Sequence, residues 1–194
     1  MIKKFLSAEI PTFFFKYDTE VPFTHCSFCE NSLDLYDRYA VEKVFRQHRA
    51  VGTSEIVYEY AVCWGCANEM GKEISEDSKA SIAKLFTEYG QQVRNKAEYL
   101  HELELYNIDS WTERCSLTGK ETRLCKEYAV SGIIENGGLV YELSPMVVSD
   151  DFMEMVQNSL SKETKDRFDG LRDKVLDDAP GIDDLIFSPT PGLI

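Results

Sequence analysis

Two Cys-x-x-Cys motifs constrain this chain more than any other feature of its sequence. They read Cys26-Ser-Phe-Cys29 and Cys63-Trp-Gly-Cys66. A turn of this spacing lets two sulfurs converge on one ion, and two such turns supply the ligands of a closed tetrahedral zinc site. We therefore predict that Cys26, Cys29, Cys63 and Cys66 hold one structural Zn²⁺ per chain. The alternatives are a thioredoxin-like redox pair and a pair of disulfides.

The residues between and after the motifs predict a hairpin and a helix. Strand-like runs cover 38–46 and 55–62, and a helical pattern begins at Ala67. A helix N-terminus favours the thiolate form of nearby cysteines through its dipole and its free N–H groups. The order of loop, hairpin and helix resembles the treble-clef zinc finger. That resemblance implies a metal-binding module within the first 75 residues.

The N-terminal part of the chain also resembles the small bacterial CbrC family. The segments that carry this resemblance are Pro11-Thr-Phe-Phe-Phe-Lys-Tyr17, Cys26-x-x-Cys29, Tyr39-Ala-Val-Glu42 and Cys63-Trp-x-Cys66-Ala67. The family has no established catalytic residues, so the resemblance implies no reaction. We expect the aromatic run 13–15 to form an extended strand with both faces partly covered. Its rings would be core aromatics beneath the metal loop or, alternatively, a ligand-binding patch.

A long helix is predicted after the second motif. Apolar residues recur at spacings of three and four from Ile82 to Tyr106 and form one stripe. Ser75 or Asp77 would cap the start of this helix, and Asn107 would mark its end. We expect the helix to pack between two halves of the chain, with a coiled-coil seam as the alternative.

The sequence after this helix repeats the order of the first half. The matching segments are 25–29 with 114–118, 39–41 with 128–130, and 57–60 with 140–143. Continuing this alignment places Met146 on Cys63 and Ser149 on Cys66. Only Cys115 keeps a ligand-type side chain, so the hypothesis is a degenerate repeat that binds no metal.

Two local signals complete the prediction for the second half. Asn136-Gly137 predicts a type I′ hairpin turn. Ser149 predicts the cap of a helix over 151–160. We expect Cys115 and Cys125 to be buried thiols, the alternative being that they pair or bind a second ion. Leu117 and Met146 would hold the loop to the helix by apolar contact.

These patterns together predict an α+β fold in four parts. The parts are a zinc-binding treble-clef-like module (1–75), a connecting amphipathic helix (76–110), a metal-free degenerate repeat with C-terminal helices (111–179) and an extended tail (180–194). A final helix should begin at Ser161 and run to about Asp177. The tail is acidic and then apolar, so we expect it either to dock on the body or to bind a partner.

Charge and composition narrow the functions to consider. The formal net charge is −13, and four thiolates around Zn²⁺ would add about two negative charges locally. Such a chain repels a phosphate backbone. There is no run of 18 apolar residues that could span a membrane. The start of the chain does not resemble a secretory signal, so we expect a reducing cytoplasm.

No familiar catalytic motif is present in the sequence. The three histidines are scattered, and His25 is either an ordinary polar loop residue or a group that lies near the metal. We therefore expect a zinc-stabilised, non-catalytic cytoplasmic protein that binds another protein. The alternatives are an enzyme whose site forms between the two halves and a nucleic-acid binder with a concealed basic face.

Overall fold

The computed structural model of the chain describes residues 4–167 and arranges them as a mixed α/β fold around one antiparallel sheet. The strands are β1 (Phe5–Leu6), β2 (Arg38–His48), β3 (Thr53–Cys63), β4 (Glu127–Glu135), β5 (Gly138–Tyr141) and β6 (Met146–Ser149). The helices are α1 (Trp64–Lys72), α2 (Glu76–Glu102), α3 (Ile108–Thr112) and α4 (Asp150–Ser159), and residues 162–167 are also helical. The predicted continuation of the last helix and the tail lie outside the described residues.

The hairpin of β2 and β3 forms where the sequence predicts it, and both strands are slightly longer than predicted. Tyr39 pairs with Cys63 at one end and His48 pairs with Thr53 at the other. Gly52 has a φ of +68° in the connecting turn, a backbone region that glycine enters without steric cost. The hairpin therefore delivers Cys63 to the end of β3, beside the start of β2.

The second half of the chain joins the same sheet through β4. The strand order is β1-β5-β4-β2-β3, and β6 also pairs with β4. The β2–β4 register runs from Arg38 opposite Glu135 to Arg46 opposite Glu127. The predicted turn at 136–137 is confirmed, because Asn136 and Gly137 have φ values of +48° and +78° between β4 and β5.

The aromatic run near the N-terminus is not a strand, contrary to the sequence prediction. Residues Thr12–Phe14 form a 3-10 turn instead. The turn directs Phe14 into the core, where it is fully buried, and Phe13 packs edge-on against it at 5.1 Å. Phe13 also stacks on Phe45 at 5.5 Å. The expectation that these two rings belong to the core is therefore confirmed.

The long helix α2 begins as predicted and ends earlier than predicted. The Ser75 hydroxyl accepts a hydrogen bond from the backbone N–H of Ser78, which caps the helix. At the other end Glu104 has a φ of +53°, and the Leu105 N–H donates to the Leu100 carbonyl at 2.9 Å. This bond and the left-handed conformation of Glu104 form a Schellman motif, which turns the chain out of the helix.

Two consequences follow from the early end of α2. Leu103, predicted to lie on the apolar stripe, is 50% exposed. Asn107 does not end this helix and instead starts α3, where its side chain accepts a hydrogen bond from the Ser110 N–H at 3.0 Å. The buried part of the stripe comprises Val93, Ala97 and Leu100.

Candidate metal centre

The first pair of cysteines lies in a tight loop before β2. The Cys26 N–H donates to the Asn31 carbonyl at 2.9 Å, and the Glu30 N–H donates to the Cys26 carbonyl at 2.9 Å. Glu30 has a φ of +58°, so the chain reverses sharply just after Cys29. This reversal brings the Cys26 and Cys29 side chains to the same side of the loop.

The second pair lies where β3 gives way to α1. Cys63 is the last residue of β3 and the residue that caps α1, and Cys66 is in the first turn of that helix. The Cys66 N–H donates to the Cys63 sulfur at 3.4 Å. The free N–H groups and the dipole of a helix start favour negative charge, so this junction suits two thiolates.

The loop is attached directly to β3, which brings the two pairs together. The Ser27 N–H donates to the Ala61 carbonyl at 2.8 Å, and the Ala61 N–H donates to the Ser27 hydroxyl at 3.2 Å. The Cys63 N–H donates to the Cys26 sulfur at 3.4 Å. A backbone N–H that points at a sulfur stabilises its thiolate form.

The four predicted ligands converge on one point. The Sγ atoms of Cys26, Cys29, Cys63 and Cys66 all lie within 4.8 Å of one another. The Cys29 and Cys63 sulfurs are 3.9 Å apart. Tetrahedral Zn–S bonds of about 2.3 Å place neighbouring sulfurs about 3.8 Å apart. The four cysteines can therefore hold one metal ion with little movement.

Burial and mutual contact move the pKa values of three of these thiols, those of Cys26, Cys63 and Cys66, in different directions. Burial raises the pKa of the Cys26 thiol, and burial together with the neighbouring thiols raises the pKa of Cys66 far above its ordinary value. Burial also acts on Cys63, but hydrogen bonds from the Cys66 N–H and the Tyr36 hydroxyl lower its pKa to about 7. Metal binding requires thiolates, so ion uptake at this site releases protons.

Tyr36 is a neighbour of the four cysteines that the sequence analysis missed. Its hydroxyl faces Cys63, and the Asn31 side chain lies 3.4 Å from the same oxygen. No spacing rule marks this tyrosine, because it reaches the site only after the loop has folded back. His25, by contrast, is exposed, and its Nδ1 lies 3.0 Å from the Thr24 hydroxyl, as expected of an ordinary polar loop residue.

All six cysteines are free thiols, so none of the disulfides considered from the sequence is present. Cys115 and Cys125 are buried, as expected. Among residues 4–167, the group of metal-binding side chains found within ligand distance of one another is the set of four cysteines. Cys115 and Cys125 are not part of it.

A second loop, residues 115–120, reproduces the hydrogen bonds of the first loop, residues 26–31, at positions 89 residues later. The Cys115 N–H donates to the Lys120 carbonyl at 2.8 Å, as Cys26 does to Asn31. Gly119, with a φ of +73°, occupies the place of Glu30. Short 3-10 turns follow both loops, at Leu33–Leu35 and Thr122–Leu124.

The junction of β6 and α4 matches the junction of β3 and α1, which corrects the alignment predicted from the sequence. The Ser149 N–H donates to the Cys115 sulfur at 3.3 Å, so Ser149 corresponds to Cys63 rather than to Cys66. Phe152, three residues later, therefore corresponds to Cys66. The prediction that Met146 takes the place of Cys63 is wrong.

The sheet register explains the error. Leu139 pairs with Ile134, which agrees with the predicted alignment, whereas Met146 pairs with Ser131 as Tyr60 pairs with Glu42. The bend at residues 142–145 thus adds three residues between β5 and β6. A strand break of this kind leaves no reliable mark in a sequence comparison.

Ser149 occupies the cap position of α4, but its side chain does not cap the helix as predicted. The Ser149 hydroxyl instead lies 3.2 Å from the Thr118 hydroxyl. Lys120 connects the loop to the helix, since its ammonium lies 2.7 Å from Asp150 and 2.9 Å from Asp151. Leu117, Met146 and Phe152 are buried in one apolar cluster, which agrees with the expected apolar contact.

No family model, no curated protein and no solved structure matched the chain. No helix within residues 4–167 combines the length and the apolar character needed to cross a bilayer. Conclusions about function therefore depend on the four-thiol cluster and on the charges and surfaces around it.

Proposed function

We propose that this chain is a zinc-stabilised, non-catalytic protein that binds another protein. The observation that carries the metal assignment is the convergence of four Sγ atoms within 4.8 Å. Zn²⁺ suits four thiolates in tetrahedral geometry better than hard cations do, since these prefer oxygen ligands. A site with four protein ligands has no open position for water or substrate, so its usual role is structural.

The arrangement around the cysteines supports a treble-clef module. A loop, a β-hairpin and a helix follow one another, and the ion would join the loop to the junction of β3 and α1. The matching loop and junction in the second half support an internal duplication with a metal-free second copy. The resemblance of the N-terminal segments to the CbrC family is compatible with this proposal and adds no reaction to it.

The ion would act as a cross-link between segments that are far apart in sequence. Cys26 and Cys29 precede the hairpin, whereas Cys63 and Cys66 follow it. Hydrogen bonds already join the loop to β3, among them the one from the Ser27 N–H to the Ala61 carbonyl. Metal–sulfur bonds would add to these contacts and further stabilise the folded form of the loop.

A protein partner is the best match to the charge of the chain. Its formal net charge of −13 opposes the approach of nucleic acid. Beside the metal loop, Leu35 is 76% exposed at the end of a 3-10 turn. An exposed apolar side chain contributes favourable free energy when a partner surface covers it. We propose that this surface, in a reducing cytoplasm, contacts the partner.

The metal assignment is tested by elemental analysis of the purified chain and of two cysteine variants. We expect one zinc per chain in the wild type and much less in Cys63→Ser. Cys115→Ser is the matched control, because Cys115 accepts similar hydrogen bonds in the second loop. Full zinc occupancy in Cys63→Ser would refute the proposed ligand set.

The partner assignment is tested by affinity capture from the native host. The bait is the zinc-loaded chain, compared with Leu35→Asp and with the matched control Leu124→Asp, which changes the corresponding residue of the second 3-10 turn. We expect one protein to be captured by the wild type and the control and lost with Leu35→Asp. Recovery of nucleic acid in a salt-sensitive manner would favour nucleic-acid binding instead.

A further inference from the structure

We infer that Cys115, Thr118, Ser149 and Phe152 occupy the positions in the second half that correspond to the four cysteines of the first. Substituting cysteine for the last three of these residues would then create a metal site with four thiolates. The inference rests on the proposed metal binding of the first loop. It goes beyond that proposal because it assigns, residue by residue, what replaced each ligand and what replaced the ion.

Hydrogen bonds to sulfur locate the first two positions. The Cys115 sulfur accepts the Ser149 N–H at 3.3 Å, and the Cys26 sulfur accepts the Cys63 N–H at 3.4 Å. The next loop residue is held in the same way in both halves. Ser116 donates its N–H to the Val147 carbonyl at 2.8 Å, as Ser27 does to Ala61. Cys115 and Ser149 therefore stand where Cys26 and Cys63 stand.

Side-chain contacts locate the other two positions. The Thr118 and Ser149 oxygens are 3.2 Å apart, where the Cys29 and Cys63 sulfurs are 3.9 Å apart. The shorter distance fits a hydrogen bond between hydroxyls. Phe152 is the third residue after the helix cap, as Cys66 is, and it is fully buried against Phe86 and Tyr89.

Two lysine side chains supply positive charge at the second loop, where a metal ion would otherwise supply it. Lys120 bridges the loop to the carboxylates of Asp150 and Asp151 at the start of α4. Lys96, on α2, places its buried ammonium beneath the same loop and donates to the carbonyls of Trp111 and Arg114 at 2.6 and 2.8 Å. At the position of Lys120, the first loop has the neutral residue Asn31.

These cations also favour an engineered site. An ammonium near a cysteine stabilises its thiolate, which is the form that binds metal. The Cys115 sulfur also accepts the N–H groups of Thr118 and Ser149 at 3.4 and 3.3 Å, and such bonds stabilise a thiolate. The loop is therefore prepared for thiolate ligands, and the missing element is the ligands themselves.

The test is the triple variant Thr118→Cys, Ser149→Cys, Phe152→Cys in the full chain. We expect the metal content to rise by one equivalent relative to the wild type, with a matching increase in the thiolate-to-metal absorption of bound Co²⁺. The matched control is Thr118→Ser, Phe152→Ser, which removes the same aromatic ring and keeps Ser149. It retains only Cys115 at these positions, so we expect no added equivalent.

The readout is the metal bound by the variant in excess of the wild type, rather than the total, so the result is independent of the first site. A wild type without metal would refute the proposed function, and a gain of one equivalent in the variant would still support this inference. Removal of Phe152 weakens the core in both variants, so thermal melts with and without Zn²⁺ accompany the titration. We expect Zn²⁺ to raise the melting temperature of the triple variant above the rise seen in the control.

If the triple variant does not fold, Thr118→Cys, Ser149→Cys provides the decisive measurement, because it leaves Phe152 in the core. Its three thiols, including Cys115, should bind Co²⁺ in addition to the Co²⁺ that the wild type binds. A folded triple or double variant with no added metal equivalent would overturn the assignment of these positions.

Discussion

Gly132 and Phe14 test whether the N-terminal segment and the second half of the chain fold as one unit. Gly132 lies in β4, opposite Val41 of β2. A methyl group added at Gly132 would lie 2.5, 2.7 and 2.9 Å from three ring atoms of Phe14. The Phe14 ring is fully buried and packed edge-on against Phe13, so it cannot move freely.

The cost of Gly132→Ala follows from this geometry. The ring would have to move by about 0.9 Å to restore an ordinary contact of 3.4 Å. Overpacking of this kind typically costs about 1–3 kcal/mol. For a chain of this length, each kcal/mol lowers the melting temperature by about 2–4 °C. We therefore expect a fall of roughly 2–12 °C.

A double-mutant cycle separates this clash from a general effect on β4. Phe14→Leu alone should cost about 1–2 kcal/mol, because it removes part of a buried ring. In the presence of Phe14→Leu, Gly132→Ala should cost about 0.5–3 kcal/mol less than it does alone. The assay is urea unfolding followed by circular dichroism. Additive effects would show that Phe14 does not pack on Gly132 and would refute the reasoning.

Two further substitutions and the removal of the metal should change the stability or the helical content of the chain in a defined direction. Gly90→Ala should stabilise the chain by about 1 kcal/mol, measured by the same urea assay, because Gly90 is within α2 and its new methyl group meets nothing within 4 Å. Asp150→Asn should cost about 1.5–3 kcal/mol at neutral pH. Burial alone would raise the pKa of Asp150, but Lys120 and the Lys126 N–H hold this pKa below its ordinary value. The stability that the carboxylate contributes is therefore present above the unfolded pKa and is lost as pH falls through the folded pKa. Urea melts across that pH range should show that the free energies of unfolding of the wild type and Asp150→Asn converge in acid. A difference that stays constant would contradict the proposed role of the Asp150 carboxylate. Chelation of the metal should remove only part of the far-UV helical signal, because α2 buries Val93, Ala97 and Leu100 and contains none of the four cysteines; complete loss would refute this.

Short-range features of this protein could be predicted from the sequence. The spacing of the Cys-x-x-Cys motifs selected the four cysteines that the structure brings together. Ser75 was a correct cap, and Asn136-Gly137 was a correct hairpin turn. Each of these depends on the conformational preference or the reach of a few adjacent residues, and such preferences act before the chain folds.

Other local features escaped prediction because tertiary packing overrides local pattern. The apolar spacing continues past residue 102, yet the helix ends there through a Schellman motif at Glu104, a residue type that rarely adopts positive φ. The run at 13–15 has the composition of a strand, yet it forms a 3-10 turn. That turn places Phe14 over Gly132, where the absence of a side chain leaves room for the ring.

The sequence by itself determined which four cysteines are candidates for one site, the hairpins and the starts of the main helices, because these follow from residues close together along the chain. Only the tertiary structure decided that Ser149 and Phe152, rather than Met146 and Ser149, stand in the ligand positions of the second loop. Tyr36 likewise became a neighbour of Cys63 only in the folded chain. The physical reason is that contacts between distant segments depend on strand register. The three extra residues in the bend between β5 and β6 shift that register without changing the residue pattern on either side.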